Sequence, residues 1–142
     1  MFTTNRLVLR PFKTDDLDDI LKLWNDPLVQ RGLTIAGVTP RAPSFKDKIQ
    51  GYVNSALFYV IITQKDTGEF MGCTNIWFTG GNAKNRDGTL GISIKPVYWN
   101  QGYGSEVLEF VLDHAFRWLG LHRVSLGVFE SNKGAIRSYE KL

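Results

Sequence analysis

The stretch Pro96-Val-Tyr-Trp-Asn-Gln-Gly-Tyr-Gly-Ser105 joins two segments of different periodicity. Residues 89–95 before it predict a strand, and residues 102–119 after it carry apolar side chains at helical spacing. Gly102 and Gly104 have no Cβ, so the backbone there can approach a ligand closely. The N–H groups of a first helical turn favour an anion. The stretch therefore predicts a phosphate-binding turn at a helix N-terminus, with an ordinary glycine-containing turn as the alternative.

Three consecutive strands are predicted in the middle of the chain. Residues 57–63 form a continuous apolar, β-branched and aromatic run, which is typical of a buried strand. Residues 65–68 have hairpin chemistry because Gly68 can adopt a positive φ, and residues 70–78 return as the second strand. With residues 89–95 as the third strand, this part of the chain predicts an antiparallel meander.

The N-terminal third predicts one short strand and two helices. Residues 6–10 alternate polar and apolar side chains, as a short strand does. Thr14 and the two aspartates that follow it predict the start of a helix, and Pro27 is expected to end that helix. Ser44 is expected to cap a second helix that continues to residue 55.

The part of the chain after the glycine turn alternates helix and strand. The helix of residues 102–119 is so widely apolar that we expect it to pack on more than one side, and Gly120 is expected to end it. A strand over residues 123–129 and a final helix over residues 133–142 follow. This order predicts an α/β fold with a mixed, mostly antiparallel central sheet flanked by helices.

The composition predicts one domain over residues 1–142 and a cytoplasmic location. The single cysteine, Cys73, cannot form an internal disulfide, which excludes a secreted scaffold held by disulfides. No apolar run reaches the roughly 18 residues of a membrane helix, and residues 1–12 lack the apolar core of a signal peptide, so no membrane partner is expected. The net charge of +3 is too small to argue for nucleic acid, although it suits an anionic ligand.

A dinucleotide-binding turn of the Rossmann type is a competing interpretation of the two glycines. Glu130 follows the next predicted strand, about where a ribose-binding carboxylate would lie. However, Val107 stands where the third glycine belongs, and residues 96–101 make the connection too long for a tight turn. The antiparallel meander upstream also differs from a doubly wound parallel sheet, so this alternative is the weaker one.

Residues 98–106 resemble the acyl-CoA signature of the GNAT superfamily of N-acetyltransferases. Trp99 stands at the Arg or Gln position of the general signature, and a tryptophan there is similar to the subgroup that acetylates protein N-termini, notably of ribosomal proteins. Residues 7–12 resemble the first strand of that subgroup, residues 90–96 its fourth strand and residues 132–141 its closing motif. The resemblance extends over essentially the whole chain, with the motifs in the same order.

The resemblance implies an enzyme that transfers an acetyl group from acetyl-CoA to a primary amine, a peptide N-terminus or a small-molecule amine, by direct attack in a ternary complex. It implies that one group of backbone N–H donors binds the pyrophosphate: Gln101, Gly102, Tyr103, Gly104 and Ser105. The pantetheine arm is expected to lie along Ile92, Ser93 and Ile94 like an added strand, with an N–H near Ile94 donating to the reacting carbonyl. Asn132 and Ser138 complete the predicted donor site, and no metal is expected.

The resemblance assigns the general acid to Tyr139, because a phenol stays protonated at neutral pH and can protonate a departing thiolate. Thr89 stands where many relatives carry a glutamate, and a threonine cannot serve as the base. Glu130 is the nearest carboxylate at a strand end and is the predicted base, unless it is a solvated loop residue. Capture of an already neutral amine is the other alternative, and it is easier for an α-amine with a pKa of about 8 than for lysine at about 10.4.

Two other functions remain open at this stage: a CoA-binding module with little or no catalysis, and a nucleotide-binding domain. The amine acceptor is expected over the early helices and the loop of residues 30–43. Members of the family continue past the last helix with further strands, so we expect the C-terminal strands to be missing from this chain. The strand of residues 123–129 would then have an exposed edge, which favours a homodimer.

Overall fold

Six strands form one sheet in the computed structural model, which describes residues 1–32, 37–126 and 140. In sheet order these strands are β1 (Phe2–Thr3), β2 (Leu7–Pro11), β3 (Phe58–Gln64), β4 (Phe70–Phe78), β5 (Asp87–Ile94) and β6 (Arg123–Leu126). The helices of the described residues are α1 (Asp16–Trp24), α2 (Pro27–Gln30), α3 (Lys46–Ser55) and α4 (Tyr103–Arg117). The predicted α/β fold with helices flanking a mixed, mostly antiparallel sheet is confirmed.

The β5–β6 pair differs from all the other strand pairs of this sheet. Strands β1 to β5 are each antiparallel to their neighbours, whereas β6 is parallel to β5. Parallel neighbours need a crossover connection, and α4 provides it. The register pairs Asp87 with Arg123 and ends with Leu90 opposite Leu126. Among the described residues, the second half of β5 therefore pairs with β4 alone.

Two apolar cores cover the two faces of the sheet. On one face, which we call the α4 face, Val107, Leu108, Val111 and Ala115 of α4 pack against Leu9, Ile62, Ile76, Leu90 and Ile94. On the other face, the α1–α3 face, Ile20, Leu21 and Leu23 of α1 and Ile49 of α3 pack against Ile61, Phe70 and Cys73. Because successive strand residues point to opposite faces, β3 and β4 contribute to both cores, whereas the core residues of β2 and β5 lie on the α4 face.

Glycines with positive φ mark both ends of α4. Gly102 has a φ of 83° and Gly120 a φ of 64°, a conformation that costs glycine nothing because it has no Cβ. The Nε atom of Arg86 donates to the carbonyl of Gly120 at 3.2 Å, and its Nη2 atom donates to Leu119. These bonds give hydrogen-bond donors to carbonyl groups just after α4. They thereby hold the C-terminal end of α4 next to the start of β5.

The wide apolar surface of α4 is only partly covered. The prediction of packing on more than one side holds for Phe110, whose ring centre lies 5.3 Å from that of Phe2. It is wrong for Phe116 and Trp118, which are 50% and 74% exposed, because the sheet lies under one side of the helix only. None of the helices in the described part of the chain is long and apolar enough to cross a membrane.

Two local predictions at helix ends are also corrected. Pro27 does not simply end α1; it opens α2, with Asp26 as the N-cap residue, because proline fits the first position of a helix. Ser44 does not cap α3 directly; it lies in a 3₁₀ turn over Pro43–Phe45 that leads into the helix. In both places one short helical turn stands where a sharp boundary was expected.

Candidate functional site

The turn before α4 presents backbone N–H groups at the end of a 15-residue helix. Gly102 is the N-cap residue, and no side chain caps the helix. The N–H groups of Tyr103, Gly104 and Ser105 therefore carry the positive end of the helix dipole without a side-chain capping partner. Residues 101–105, which the sequence predicts to bind a pyrophosphate, form this turn, and we call them the cradle.

The Arg6 side chain, just before β2, holds the cradle from one side. Its Nη1 atom donates to the carbonyl of Gln101 at 3.1 Å, and its Nε atom donates to Oε1 of Glu106 at 2.8 Å. The guanidinium carbon also lies 4.0 Å from the centre of the Tyr103 ring. Arg6 thus ties the glycine turn to the start of α4 and places a cation beside the cradle.

Glu106 stays ionised at the end of α4 because its environment favours the carboxylate. Burial by itself would raise the pKa of Glu106, but hydrogen bonds from Thr4 Oγ1, the backbone N–H of Arg6 and the Arg6 side chain lower it below its ordinary value. The ion pair with Arg6 neutralises the carboxylate, so it does not repel an anion at the cradle. Sequence reasoning missed this pair because its residues lie 100 positions apart.

The end of β5 directs a backbone N–H away from β4. Lys95 N donates to Met71 O at 2.8 Å, which makes Gly72 and Ile94 a non-hydrogen-bonded pair of the antiparallel ladder. The N–H and carbonyl of Ile94 consequently point towards the edge that faces β6. Trp99 Nε1 donates to that carbonyl at 2.8 Å and fastens the glycine turn to the strand.

The three residues predicted to line the pantetheine arm are divided between the two faces of the sheet. Ile92 and Ile94 pack against the core on the α4 face. Ser93 pairs with Cys73 of β4 and, by alternation, directs its side chain to the α1–α3 face, where it is 8% exposed. The hydroxyl of Ser93 and the two isoleucine side chains therefore cannot all contact one ligand on the same face.

Neutral polar groups line the α1–α3 face of β3 and β4. The Tyr59 hydroxyl lies 3.5 Å from Cys73 Sγ, and burial raises the pKa of both groups, that of Cys73 to about 11. Asn75 is 4% exposed, and its Oδ1 atom has no hydrogen-bond partner in the part of the chain that the structure describes. That atom lies 2.6 Å from the place where a Cβ on Gly91 would stand, so a larger residue at position 91 would displace the Asn75 side chain.

Aromatic side chains continue this face towards the early helices. Trp77 Nε1 donates to the carbonyl of Tyr52 at 3.3 Å. The Trp24 ring centre lies 6.0 Å from that of Tyr52 and 6.2 Å from that of Phe45. Together these rings connect α1, α3 and β4 beside the segment where the amine acceptor was expected.

Four predicted site residues lie outside the described residues: Glu130, Asn132, Ser138 and Tyr139. Their assignments as base, donor contacts and acid therefore stay predictions. Within residues 1–32 and 37–126, no group of three or more histidine, cysteine, aspartate or glutamate side chains is arranged to hold a metal ion.

Comparison with known proteins identifies the family. A family model described as "Acetyltransferase (GNAT) domain" matches residues 6–142. The chain belongs to the GNAT acetyltransferase family. Two similar proteins are the uncharacterized N-acetyltransferases p20 of Bacillus licheniformis, 27% identical over 145 residues, and YoaA of Bacillus subtilis strain 168, 28% identical over 146 residues. Each alignment covers 98% of this chain and 79% of the relative, and this GNAT protein is accordingly an acetyl-CoA-dependent N-acetyltransferase.

Solved structures show the same GNAT fold at low sequence identity. A spermidine N-acetyltransferase from Vibrio cholerae, solved in complex with CoA and spermine, superposes with a TM-score of 0.81 at 21% identity, over 96% of this chain and 79% of that one. A GNAT-family acetyltransferase from Bacillus anthracis gives a TM-score of 0.79 at 20% identity, over 98% of this chain and 80% of that one. These matches establish the fold of the GNAT domain.

The cradle has the features that the diphosphate of acetyl-CoA requires. The left-handed conformation of Gly102 leaves the first-turn N–H groups of α4 uncapped by a side chain, and a Cβ there would stand 3.4 Å from Arg6 Nη2. N–H groups at a helix N-terminus and a nearby guanidinium are the donors that bind phosphate in proteins. The residues of this GNAT chain therefore fit the acetyl donor.

Proposed function

We propose that this protein transfers the acetyl group of acetyl-CoA to a primary amine by direct attack in a ternary complex, and that the acceptor is the N-terminus of a peptide. The single observation that carries the donor half is the uncapped N-terminus of α4 with Arg6 beside it. The resemblance of Trp99 and its neighbours to the subgroup that acetylates ribosomal proteins supports the peptide acceptor.

The donor is held by backbone groups more than by charge. Gln101, Gly102, Tyr103, Gly104 and Ser105 bind the pyrophosphate, and Ile92, Ser93 and Ile94 border the pantetheine arm, with Asn132 and Ser138 as further contacts. The resemblance implies that this arm lies along β5 like an added strand, at the edge of β5 away from β4. Because Ile94 N–H points to that edge, it is the donor that we assign to the reacting carbonyl oxygen.

Tyr139 and Glu130 are the proposed acid and base. Tyr139 protonates the leaving thiolate, and Glu130 accepts the proton that the amine nitrogen loses as it attacks. The neutral lining of Tyr59, Cys73 and Asn75 supports an acceptor that arrives as a free amine, because a neutral buried surface stabilises an ammonium ion poorly. An α-amine with a pKa of about 8 supplies that form at neutral pH more readily than lysine does.

Ligand-induced stabilisation tests the donor half. Thermal unfolding is measured with acetyl-CoA, CoA and NAD, and a ligand at about 100 times its Kd stabilises the folded state by about 2.7 kcal/mol. We expect acetyl-CoA and CoA to raise the melting temperature and NAD to leave it unchanged. Stabilisation by NAD alone would instead favour the nucleotide-binding domain.

Matched glycine variants separate ligand binding from backbone strain. Gly102→Ala forces alanine to a φ of 83° in the cradle, and Gly68→Ala forces it to a φ of 74° in the hairpin between β3 and β4. Both variants lose stability, but only Gly102→Ala is expected to weaken acetyl-CoA binding. Equal loss of binding in the two variants would contradict the placement of the donor at the cradle.

Release of the CoA thiol, measured with a panel of amines, tests the acceptor half. Two peptides of one sequence are compared, one with a free N-terminus and no lysine, the other with a blocked N-terminus and one lysine. We expect turnover with the first peptide and much slower turnover with the second. Binding of acetyl-CoA without turnover on any amine would instead favour a CoA-binding module with little or no catalysis.

The remaining proposals concern organisation and location. We propose a single domain over residues 1–142, a cytoplasmic location, which the lone buried Cys73 supports, and no nucleic-acid partner. A homodimer through the edge of β6 is the proposed assembly, since β6 ends the sheet of the described strands. Light scattering across a concentration series tests this assembly, and a monomer at all concentrations would refute it.

A further inference from the structure

An aromatic pocket lies between β1 and the C-terminal half of α4. Its volume is about 430 Å³, and it is lined by four rings and one carboxylate: Phe2, Phe110, His114, Trp118 and Asp113. This volume falls within the range of pockets that hold small molecules. Because α4 rises about 1.5 Å per residue, His114 lies about 14 Å along the helix from the end of the cradle, so the pocket is a separate site.

Two neighbouring rows of side chains on α4 form one wall of this pocket. Phe110, His114 and Trp118 follow one another at intervals of four residues, so their rings lie along one side of the helix. Trp118 continues this row just after α4, because its backbone N–H donates to the carbonyl of His114 at 2.8 Å. Asp113 belongs to the adjacent row and places a carboxylate beside the rings.

Contacts between aromatic rings hold the walls of the pocket in place. The ring centre of Phe2 lies 5.3 Å from that of Phe110 and 4.9 Å from that of His114. Phe110 packs against the core on the α4 face, and Phe58 of β3 supports His114 with a ring-centre distance of 5.1 Å. Because the fold already orders these rings, a ligand binds at a smaller cost in side-chain entropy.

The electrostatics of the pocket favour a positively charged ligand. The faces of aromatic rings attract cations, and the Asp113 carboxylate adds a negative charge. Asp113 also pairs with Arg117 at 3.1 Å, but both side chains are more than half exposed, and such a pair contributes little free energy. Burial lowers the pKa of His114, so its ring is neutral at neutral pH. In the part of the chain that the structure describes, no arginine or lysine lies over any of the four rings.

We propose that this pocket is a binding site for an organic cation with a quaternary ammonium group. A primary ammonium ion has three N–H donors, and a pocket lined mainly by rings offers few groups that accept hydrogen bonds, so some of these donors would lose their water without a replacement. A quaternary ammonium ion has no N–H donor, and its methyl groups present the charge to the ring faces. The inference does not depend on acetyl transfer, because none of the five lining residues belongs to the proposed donor or acceptor side.

Three probes of similar size test the chemistry of the ligand. Choline carries a trimethylammonium group, 3,3-dimethylbutan-1-ol has a carbon atom in place of that nitrogen, and ethanolamine has a primary ammonium group. Each is titrated into the protein at constant ionic strength, and ¹H–¹⁵N NMR follows the indole N–H of Trp118. Because one exposed ring contributes about two- to fivefold in affinity, we expect a saturable shift with choline and a Kd at least about fivefold lower than for either other probe. No saturable shift with choline, or a Kd for either other probe within about twofold of that for choline, would overturn the proposal.

Substitutions at exposed positions locate the choline site. Trp118 is 74% exposed, so Trp118→Leu retains the fold and an apolar side chain while it removes one ring face. We expect this variant to raise the Kd for choline about two- to fivefold, and Asp113→Asn to raise it about twofold, with the backbone N–H of His114 as the NMR signal. The matched controls, Phe116→Leu and Glu109→Gln, change exposed residues of the same helix that do not line the pocket, and are expected to keep the wild-type Kd. A wild-type Kd in Trp118→Leu would overturn the assignment of the site. The measurement involves no acetyl transfer, so its result is independent of the proposed function.

Discussion

The two sides of the site use different physical means. The proposed donor side relies on a helix end, on the charged Arg6–Glu106 pair that joins distant parts of the chain, and on the Trp99 bond to β5. The proposed acceptor side, the α1–α3 face with Tyr59, Cys73 and Asn75, relies on neutral polar groups and aromatic rings. A diphosphate keeps its charge on binding, whereas an amine must lose its charge before it attacks. Each side therefore has the electrostatics that its substrate requires.

Lowering the pH is expected to give the largest loss of stability. It protonates Asp16 beside the proposed acceptor side and Glu106 beside the cradle. Burial would raise the pKa of Asp16, but hydrogen bonds from Arg10 and the backbone N–H of Lys13 lower it, and the pKa of Glu106 is also lowered. A carboxylate with a lowered folded-state pKa stabilises the fold fully above its unfolded pKa, and this stability is lost as the pH falls through the folded pKa. We expect the urea midpoint to begin to fall below about pH 6.5, because burial also lowers the pKa of His114, and to fall most steeply below about pH 5. A midpoint at pH 3.5 equal to that at pH 7 would contradict this.

Asp16→Asn is expected to give the largest effect of a single substitution, on the helix that borders the acceptor side. Asp16 accepts hydrogen bonds from Arg10 Nη1 at 2.8 Å, Arg10 Nη2 at 2.7 Å and Lys13 N at 2.7 Å, and its side chain is 5% exposed. The substitution leaves the Arg10 cation without its counter-ion, at a cost of about 3 kcal/mol in the free energy of unfolding. Asp18→Asn, at an exposed position of the same helix, is the control. Equal urea midpoints for the two variants would show that the Arg10 pair adds no stability.

Glu106→Gln is expected to affect the donor side less strongly but more specifically. It keeps the shape of the side chain and removes the charge that Arg6 pairs with, for a loss of about 2 kcal/mol in the free energy of unfolding. Arg6 then holds the turn less firmly, so the Kd for acetyl-CoA is expected to rise. Calorimetry of acetyl-CoA binding measures this, with the exposed Glu109→Gln of the same helix as control. Unchanged affinity in Glu106→Gln would indicate that the cradle does not need this pair.

Trp99→Phe gives the smallest expected effect on stability. It removes one indole N–H from the carbonyl of Ile94 and retains an aromatic ring, which corresponds to about 1 kcal/mol in the free energy of unfolding. Because the bond fastens the turn to β5, we expect a higher Kd for acetyl-CoA with an unchanged KM for the amine. A change confined to the amine KM would instead place Trp99 on the acceptor side.

Local pattern was sufficient for most strands and for α4. Residues 70–78 were predicted as a strand with the bounds that β4 has, because the apolar run and the preceding Gly68 hairpin are both local signals. The boundaries around Pro27 and Ser44 were wrong, since a single helical turn depends on neighbours that pattern does not register. The exposed Phe116 and Trp118 show the same limit, because an apolar side chain does not indicate whether anything covers it.

The sequence by itself determined the order of strands and helices, the glycine turn of the cradle and the family, because each depends on signals that are close together in the chain. Only the tertiary structure decided which side chains meet: Arg6 with Glu106, 100 positions away, and Trp99 with the carbonyl of Ile94. The reason is physical. Secondary structure and glycine turns follow from local backbone preference, whereas a hydrogen bond between separate strands or helices follows from their packing, which the local sequence does not encode.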